Sequence, residues 1–318
     1  MISRIFSVGF LFVTTFLLVI TMVFINVSAA ATADTTQQDN HYYQQKHLNE
    51  CPAHYYQNQN PQIINNKPLE IYYLCFSGFA IGYSADAKIA LWSAEHLTAD
   101  RIEQAGLLER KDNFHAEQRL PIHIQATLHD YKKQPYDRGH LSPNGDMATT
   151  EQQYDSFSLA NIVPQNPDNN RKTWRSIESR TRYLTLKYNE AYVVTGPAFI
   201  GKNVKKINQK ILVPTHLYKA IYIPSLNQAG VYFAPNDDSQ YLEVISLEEL
   251  ALRTGIHAMP SVPINVQQIA MPLPTDGLDA NLNNPAKNQT NVEDYEIFGF
   301  FINLLLEAFK WLISLPKS

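Results

Sequence analysis

The stretch from Asn170 to Tyr188 contains no Gly or Pro, and it constrains the fold most because its neighbours have a different character. Its apolar residues Trp174, Ile177 and Leu184 suit one face of a helix. Strand-like segments rich in β-branched and aromatic residues lie on both sides of it, at residues 71–84, 88–97, 191–199 and 210–224. Because strands and helices do not alternate regularly, the pattern favours an α+β fold with a central, mostly antiparallel sheet flanked by helices.

The first 31 residues differ in composition from the rest of the chain. Arg4 precedes a long apolar run, and the small-residue stretch VSAAA follows it. This order is typical of a secretory signal peptide, and the run is also long enough for an uncleaved membrane anchor. Both alternatives predict an exported chain, periplasmic or secreted, and the second adds a membrane tether. Residues 32–50 are polar and rich in Gln and Asn, which predicts a flexible linker.

The C-terminal part of the chain also changes in composition. The folded domain is predicted to span residues 51–265, and a Pro- and Asn-rich linker is predicted over residues 266–294. Residues 295–318 are apolar with one polar stripe at helical spacing, which predicts an amphipathic apolar helix. Packing on the domain or a partner, and peripheral membrane contact through residues 297–315, are both open alternatives for this helix.

Cys51 and Cys75 are the two cysteines of the chain. An isolated pair in an exported protein indicates one disulfide, and two unpaired buried thiols are the alternative. Closing this loop would stabilise the fold by about 3 kcal/mol, because the crosslink restricts the unfolded chain.

Asp137, Arg138, Gly139 and His140 form a short polar motif, DRGH, followed at once by a Pro-Asn-Gly turn. An imidazole is a suitable general base near neutral pH. A guanidinium supplies planar, permanently charged donors to phosphate oxygens. The motif therefore indicates phosphodiester hydrolysis, and its glycine is expected to let the backbone bend. A metal ligand must come from elsewhere in the chain.

Asn170, Trp174, Glu178 and Arg182 recur every four residues and would form one ridge of the predicted helix. Asn170 lies at the helix start, where its amide oxygen can face a hard cation. Glu178 lies roughly 12 Å further along the axis, too far to share the cation's inner shell, but it could hold a water of that cation. A phosphate contact is predicted for Arg182, and core packing for Trp174.

Cations cluster around this helix although the whole chain has a formal charge of −4. Residues 171–187 carry six Lys or Arg against one acid. One interpretation is an ordinary solvent-exposed helix face. Cations beside a metal site are better explained by binding to the phosphate backbone of a nucleic acid. The predicted substrate-binding residues are Arg171, Arg175 and Arg182. Backbone contacts carry no sequence information, which suits a nuclease of low specificity.

Both motifs, in order and with their spacing, resemble the DNA/RNA non-specific endonuclease family of the ββα-metal superfamily, to which mitochondrial endonuclease G belongs. The DRGH motif matches in full. In the second motif, the spacings are the same as in the family pattern. The matching residues are Asn161, Pro164, Gln165, Asn170, Trp174 and Glu178. The resemblance covers roughly residues 50–265 and implies the ββα-metal nuclease fold.

The resemblance implies a role for most residues of the two motifs. His140 would be the general base that deprotonates water, and Asn170 the sole direct protein ligand of Mg²⁺, with Mn²⁺ or another divalent cation able to substitute. Arg138 would stabilise the scissile phosphate, and Glu178 would anchor water on the metal. Asp137 is expected to orient the loop or a neighbouring side chain rather than to touch the substrate. DNA and RNA are the implied substrates, and a homodimer is compatible with the resemblance because dimers occur in the family.

Two other functions are compatible with parts of the sequence. The first is a catalytically weak nucleic-acid-binding or toxin-like envelope protein on the same fold, although binding alone needs neither the histidine base nor the metal ligand. The second is a zinc hydrolase built from some of the ten histidines. No H-E-x-x-H motif supports the second function.

Overall fold

A computed structural model describes residues 51–64, 70–201 and 203–275 of the chain. The strands are β1 (Gln62–Ile63), β2 (Ile71–Cys75), β3 (Ala80–Ser84), β4 (Ile89–Thr98), β5 (Asp137–His140), β6 (Ile162–Gln165), β7 (Glu190–Ala198), β8 (Lys206–Ile207), β9 (Ile211–Leu212), β10 (His216–Ile223), β11 (Gln228–Pro235), β12 (Glu243–Ile245) and β13 (Ile256–His257). The α-helices are α1 (Ala99–Ala105), α2 (Leu128–Tyr131), α3 (Thr150–Ser156), α4 (Arg175–Tyr188), α5 (Leu247–Thr254) and α6 (Ile264–Gln267).

A seven-stranded antiparallel sheet forms the centre of the molecule, in the order β12-β11-β10-β7-β4-β3-β2. Strands β5 and β6 pair with each other, antiparallel, as a separate two-stranded ribbon. The predicted α+β fold with a mostly antiparallel central sheet is therefore confirmed. Each strand segment predicted from the sequence contains a strand of this sheet.

Buried side chains cover both faces of the sheet. One hydrophobic cluster contains Trp174, Ile177 and Leu184, so the apolar face predicted for the long helix is buried against the sheet. In a second cluster, Tyr55 and the α5 residue Leu250 pack against side chains of the sheet. Because apolar burial is worth about 25 cal/mol per Å², these two layers supply most of the driving force for folding.

The predicted helix from Asn170 to Tyr188 is confirmed, but its first turn is wider than an α-helix. Residues Asn169–Trp174 form a π-helical turn that continues directly into α4. Helix α4 ends at Asn189, which adopts a left-handed conformation with φ of 68°. π-Helical turns are rare and are found mostly at functional sites.

The disulfide between Cys51 and Cys75 is present, with Cα atoms 5.7 Å apart. It ties the N-terminal end of the described chain to strand β2, at one edge of the sheet. Helix α5 is capped at both ends. The Ser246 hydroxyl accepts a hydrogen bond from the Glu249 amide at 3.1 Å, and Gly255 ends α5 with φ of 72°.

The predicted domain boundary at residue 265 is too early. Met271 and Leu273 are buried in the first hydrophobic cluster. The Met271 amide donates to the Ala229 carbonyl at 2.6 Å, and Arg180 donates to the Thr275 carbonyl at 2.9 Å. Residues 266–275, assigned to a linker by composition, therefore belong to the folded domain because their few apolar side chains are used in the core.

The predictions for residues 1–31, 32–50, 276–294 and 295–318 lie outside the described residues, as does the membrane contact predicted for residues 297–315. Within the described ranges, no helix combines the length and the apolar character needed to cross a bilayer.

Candidate active site

The β5–β6 ribbon brings the two sequence motifs together. Strand β5 is the DRGH motif itself, and Asp137 lies opposite Gln165 in the register of the pair. Strand β6 runs within a few residues into the π-helical turn that carries Asn170. Asp137 and Asn170, separated by 33 residues in the chain, are therefore in direct contact.

The Asp137 carboxylate is bonded to both Asn170 and Arg171. Asn170 Nδ2 donates to Asp137 Oδ2 at 3.0 Å. Arg171 makes a two-pronged contact, with Nε 2.8 Å from Oδ2 and Nη2 2.7 Å from Oδ1. Burial favours a higher pKa for Asp137, but hydrogen bonds from Arg171 and Asn170 outweigh it and lower the pKa below its usual value. The carboxylate thus stays ionised and fixes which way the Asn170 amide points.

The Asn170 side chain is suited to hold a hard cation. Its nitrogen is occupied by Asp137, and its oxygen accepts no hydrogen bond from any residue that the structure describes. An amide oxygen is a good ligand for Mg²⁺, which keeps several waters and needs few protein ligands. The residues present therefore fit a divalent cation at this position.

His140 lies in an aromatic environment. Its ring is 5.5 Å from the Phe114 ring and 5.0 Å from the Phe157 ring, centroid to centroid. Within the described part of the chain, its buried Nε2 atom has no hydrogen-bond partner. Burial, with the Arg110 charge as the next cause, lowers the pKa of His140 to about 3. The imidazole is therefore neutral at physiological pH, with a nitrogen lone pair left to accept a proton.

Arg138 lines an open groove beside the DRGH motif. Its guanidinium carbon lies 3.9 Å from the centre of the Phe114 ring, so the ring holds the cation by its π face. The groove has a volume of about 920 Å³ and is also lined by Asn170, Arg171 and Lys132. A guanidinium and an amide that share one groove can contact the same phosphate group.

Glu178 lies on α4 in a strongly charged environment. Burial raises the pKa of Glu178 to about 7, although the Arg182 and Lys219 charges oppose this shift. Lys219 comes from the central strand β10, is fully buried, and donates to the Thr195 hydroxyl at 2.6 Å. Around neutral pH the Glu178 carboxyl can therefore exist with or without its proton.

The three arginines predicted to bind substrate have different environments. Arg182 Nη1 bonds the buried Asp146 Oδ1 at 2.9 Å, so Arg182 is engaged inside the protein and the predicted phosphate contact does not fit its position. Arg171 is exposed and lines the groove while it is paired with Asp137. Arg175 is exposed on α4, and the structure assigns it no partner among the described residues.

Sequence reasoning missed Arg110, Phe114 and Phe157. Arg110 and Phe114 line the groove, and Arg110 lies 5.4 Å from the Phe157 ring centre. Arg110 lies in a charged segment without periodicity, and Phe157 follows the short helix α3. No spacing pattern marked them, because their proximity to His140 arises only from the folded arrangement.

A paired ribbon that runs directly into a helix, with His140 on the ribbon and Asn170 in the first turn of the helix, is the arrangement expected for a ββα-metal nuclease. A family model described as DNA/RNA non-specific endonuclease matches residues 55–263. Since the match covers about two thirds of its 318 residues, the chain belongs to this family. It is therefore a metal-dependent endonuclease, a hydrolase that acts on nucleic acids.

Named relatives agree with this assignment. The chain is 34% identical over 173 residues to nuclease C1 of Cunninghamella echinulata var. echinulata, covering 50% of this chain and 69% of the relative. It is 30% identical to a nuclease of a Nostoc species over 213 residues, which covers 62% of this chain and 76% of the relative. It is 28% identical to human mitochondrial endonuclease G over 221 residues, which covers 64% of this chain and 72% of the relative.

A solved structure supports the same fold. The crystal structure of the EndoG/EndoGI complex contains a chain that superposes on this one with a TM-score of 0.54 and 25% sequence identity. The match covers 58% of this chain and 84% of that chain.

Proposed function

We propose that this chain is an exported endonuclease that uses Mg²⁺ to hydrolyse phosphodiester bonds in both DNA and RNA. The observation that carries the proposal is the contact between Asp137 and Asn170, which orients the Asn170 amide beside the strand that carries the DRGH motif. The family match supports the choice of nucleic acid as substrate. Export rests on the signal-like composition of residues 1–31.

Asn170 would hold the cation through Oδ1, and Glu178 would hold a water of its hydration shell. Mn²⁺ or another hard divalent cation could occupy the same position, because the protein supplies oxygen ligands only. When bound, the cation supplies Lewis-acid stabilisation of the negative charge on the scissile phosphate and the leaving oxygen.

His140 would take the proton from the attacking water through Nε2. Its low pKa ensures that the base is unprotonated before substrate arrives. A bound phosphate brings negative charge next to Arg110 and Arg138, the two cations whose charges help to lower that pKa. Substrate binding therefore opposes the smaller, electrostatic part of this lowering, whereas the larger part, which is caused by burial, stays.

Arg138 would bind the scissile phosphate from the groove, with its guanidinium held by the Phe114 ring. Arg171 and Arg175 would contact neighbouring phosphates, because both are exposed near the Asn170 turn. Contacts of this kind read the backbone and not the bases, which explains cleavage without sequence specificity.

The test is cleavage of plasmid DNA and of RNA by purified protein, in Mg²⁺ and in chelator, beside His140→Ala, Asn170→Ala and Lys187→Gln. We expect the wild type and Lys187→Gln to degrade both substrates only in Mg²⁺. His140→Ala should lose about 10²–10⁴-fold in rate, the usual contribution of a general base. Wild-type rates in His140→Ala would overturn the mechanism. Binding of DNA by every protein without cleavage would favour the catalytically weak binding protein.

Three finer points of the proposal have their own measurements. N-terminal sequencing of the exported protein distinguishes a cleaved signal peptide from an anchor at residues 1–31. Light scattering tests the homodimer. Flotation with vesicles, with and without residues 297–315, tests peripheral membrane contact.

A further inference from the structure

Helix α2 forms part of the wall of the groove. Leu128, His129 and Lys132, at and just after this short helix, line the groove together with Arg138 and Asn170. His129 and Lys132 are exposed, so this wall presents cationic or polar groups to the solvent. A nucleic acid that leaves the groove past α2 would meet the surface beyond it.

The hairpin formed by β8 and β9 is attached to α2 through one buried carboxylate. Asn208 Nδ2 donates to Asp130 Oδ1 at 2.6 Å, and Lys210 Nζ lies 3.3 Å from the same oxygen. The other oxygen of Asp130 accepts from the Thr127 amide and hydroxyl at 2.9 and 2.8 Å, which caps the start of α2. Because one carboxylate bonds both elements, the hairpin is held in a fixed position beside the groove wall.

Four exposed lysines lie on these two joined elements. Lys132 and Lys133 directly follow α2, and Lys205 and Lys206 lie at the start of the hairpin. Among the residues that the structure describes, no carboxylate lies within ion-pair distance of any of the four. Asp130, the carboxylate that anchors the hairpin, is buried and is paired with Lys210.

This concentration of cations contrasts with the charge of the whole chain. The formal charge is −4, so cations are not simply abundant on this protein. Like charges that share a small surface repel one another, and this repulsion is relieved when a polyanion binds. Phosphates spaced along a nucleic acid backbone have the density of charge that such a surface accommodates.

We propose that Lys132, Lys133, Lys205 and Lys206, here called the lysine surface, bind phosphates of the substrate strand from the edge of the groove at Lys132 outward to the hairpin. The surface extends the contact with nucleic acid past the cleaved nucleotides, so the enzyme binds long polymers more tightly than short oligonucleotides. The proposal rests on the proposed function, because it assigns the surface to the same substrate. It adds a second contact region that the two catalytic motifs do not contain.

The experiment measures binding in chelator, where no cleavage occurs, as a function of salt. The probes are a tetranucleotide and a duplex of about 30 base pairs, which spans about 100 Å at 3.4 Å per step. The variants are Lys206→Gln and Lys205→Gln/Lys206→Gln. The matched control is Lys187→Gln, which removes the same charge near the far end of α4, about 25 Å from Asn170 at 1.5 Å per residue.

We expect the slope of log affinity against log salt for the duplex to fall by about 1 in the single variant and about 2 in the double variant. Lys187→Gln should leave that slope unchanged. The slope for the tetranucleotide should be the same in all proteins, because it does not reach the hairpin. An unchanged duplex slope in the double variant, or an equal change in Lys187→Gln, would overturn the proposal.

Cleavage of the tetranucleotide in Mg²⁺ separates this result from the proposed function. If the wild type cleaves the tetranucleotide but the duplex slopes are equal, only the lysine surface is wrong. If the wild type cleaves neither probe, the proposed function itself fails, and the lysine surface, which rests on it, falls with it.

Discussion

Asp137 is the residue whose role the structure makes most specific. The sequence indicated that it orients the loop or a neighbouring side chain, and its two oxygens bond the side chains of Asn170 and Arg171. The pair with Asn170 is a positioning contact, because it determines that the amide oxygen and not the amide nitrogen is free. The identity of these partners could not be predicted from the DRGH motif, since both lie more than thirty residues further along the chain.

Replacement of Asp137 by Ala should weaken metal binding more than it slows the reaction at saturating metal. The Asn170 amide would lose its orientation, and loss of such a supporting contact typically costs 10–100-fold in metal affinity. The measurement is the Mg²⁺ concentration for half-maximal activity. Arg171→Ala is the matched control, because it removes the other partner of Asp137 but leaves the bond to Asn170. An equal Mg²⁺ requirement in both variants would contradict the positioning role.

The position of Asn170 at the helix start could be predicted because helical spacing and motif order are local properties. The partner of Arg182 could not be predicted from the sequence. Spacing by four placed Arg182 on one ridge with Glu178, but Asp146, which pairs with it, comes from the turn after the DRGH motif. The same limit applies to Arg110 and Phe114, whose contacts with the motif depend on how distant loops fold over it.

The β5–β6 ribbon explains the glycine of the motif in a way that the sequence did not suggest. A Cβ atom at Gly139 would lie 1.9 Å from Gln165 Oε1 and 2.7 Å from Gln165 Cβ. Glycine is therefore needed for the close approach of Gln165, and the bend that we expected there is not the reason. Gln165 Nε2 in turn donates to Asn169 Oδ1 at 2.7 Å, and Asn169 directly precedes Asn170.

Gly139→Ala should lower both thermal stability and activity, because Gln165 must move and release Asn169. Overpacking of this kind typically costs about 1–3 kcal/mol. The double variant Gly139→Ala/Gln165→Ala removes the clash, so its melting temperature should be higher than that of Gly139→Ala alone. A double variant that melts lower, by the sum of both single effects, would show that steric conflict is not the cause.

The long strands and helix α4 could be predicted from the sequence because their apolar residues follow a clear period. The π-helical turn at Asn169–Trp174 could not, since its residues have no pattern that separates it from an α-helix. Strand β11 was also missed, because Ala and Gly occupy part of it and the strand is recognised only by its pairing with β10 and β12.

At the scale of the whole molecule, buried ionisable groups make stability depend on pH. Burial raises the pKa of Glu178 from 4.5 to about 7, so the native state binds this proton more tightly than the unfolded state. The stabilisation that comes from protonated Glu178 is fully present below pH 4.5. It is lost as the pH rises through 7, because the buried carboxyl then ionises. Ionisation of this buried carboxyl thus weakens the fold near and above neutral pH.

Glu178→Gln should therefore raise the free energy of unfolding at pH 8 by up to about 3 kcal/mol and leave it nearly unchanged at pH 4.5. Gln resembles the protonated carboxyl and carries no charge to bury. The measurement is urea unfolding in chelator at both pH values, with the exposed Glu151→Gln as control. Equal stabilisation at the two pH values would exclude ionisation of Glu178 as the cause. Nuclease activity should fall in the same variant.

The separation of the β5–β6 ribbon from the seven-stranded sheet has a consequence for motion. Strands β4, β7 and β10 are each paired on both sides, whereas the ribbon is a two-stranded unit of its own. The free energy of local opening is lowest where the fewest contacts with neighbouring strands must be broken. Amide hydrogens of the ribbon should thus exchange with solvent well before those of β10. Strand β5, which carries the DRGH motif, can then rearrange around a bound phosphate while the hydrogen bonds of the large sheet stay intact.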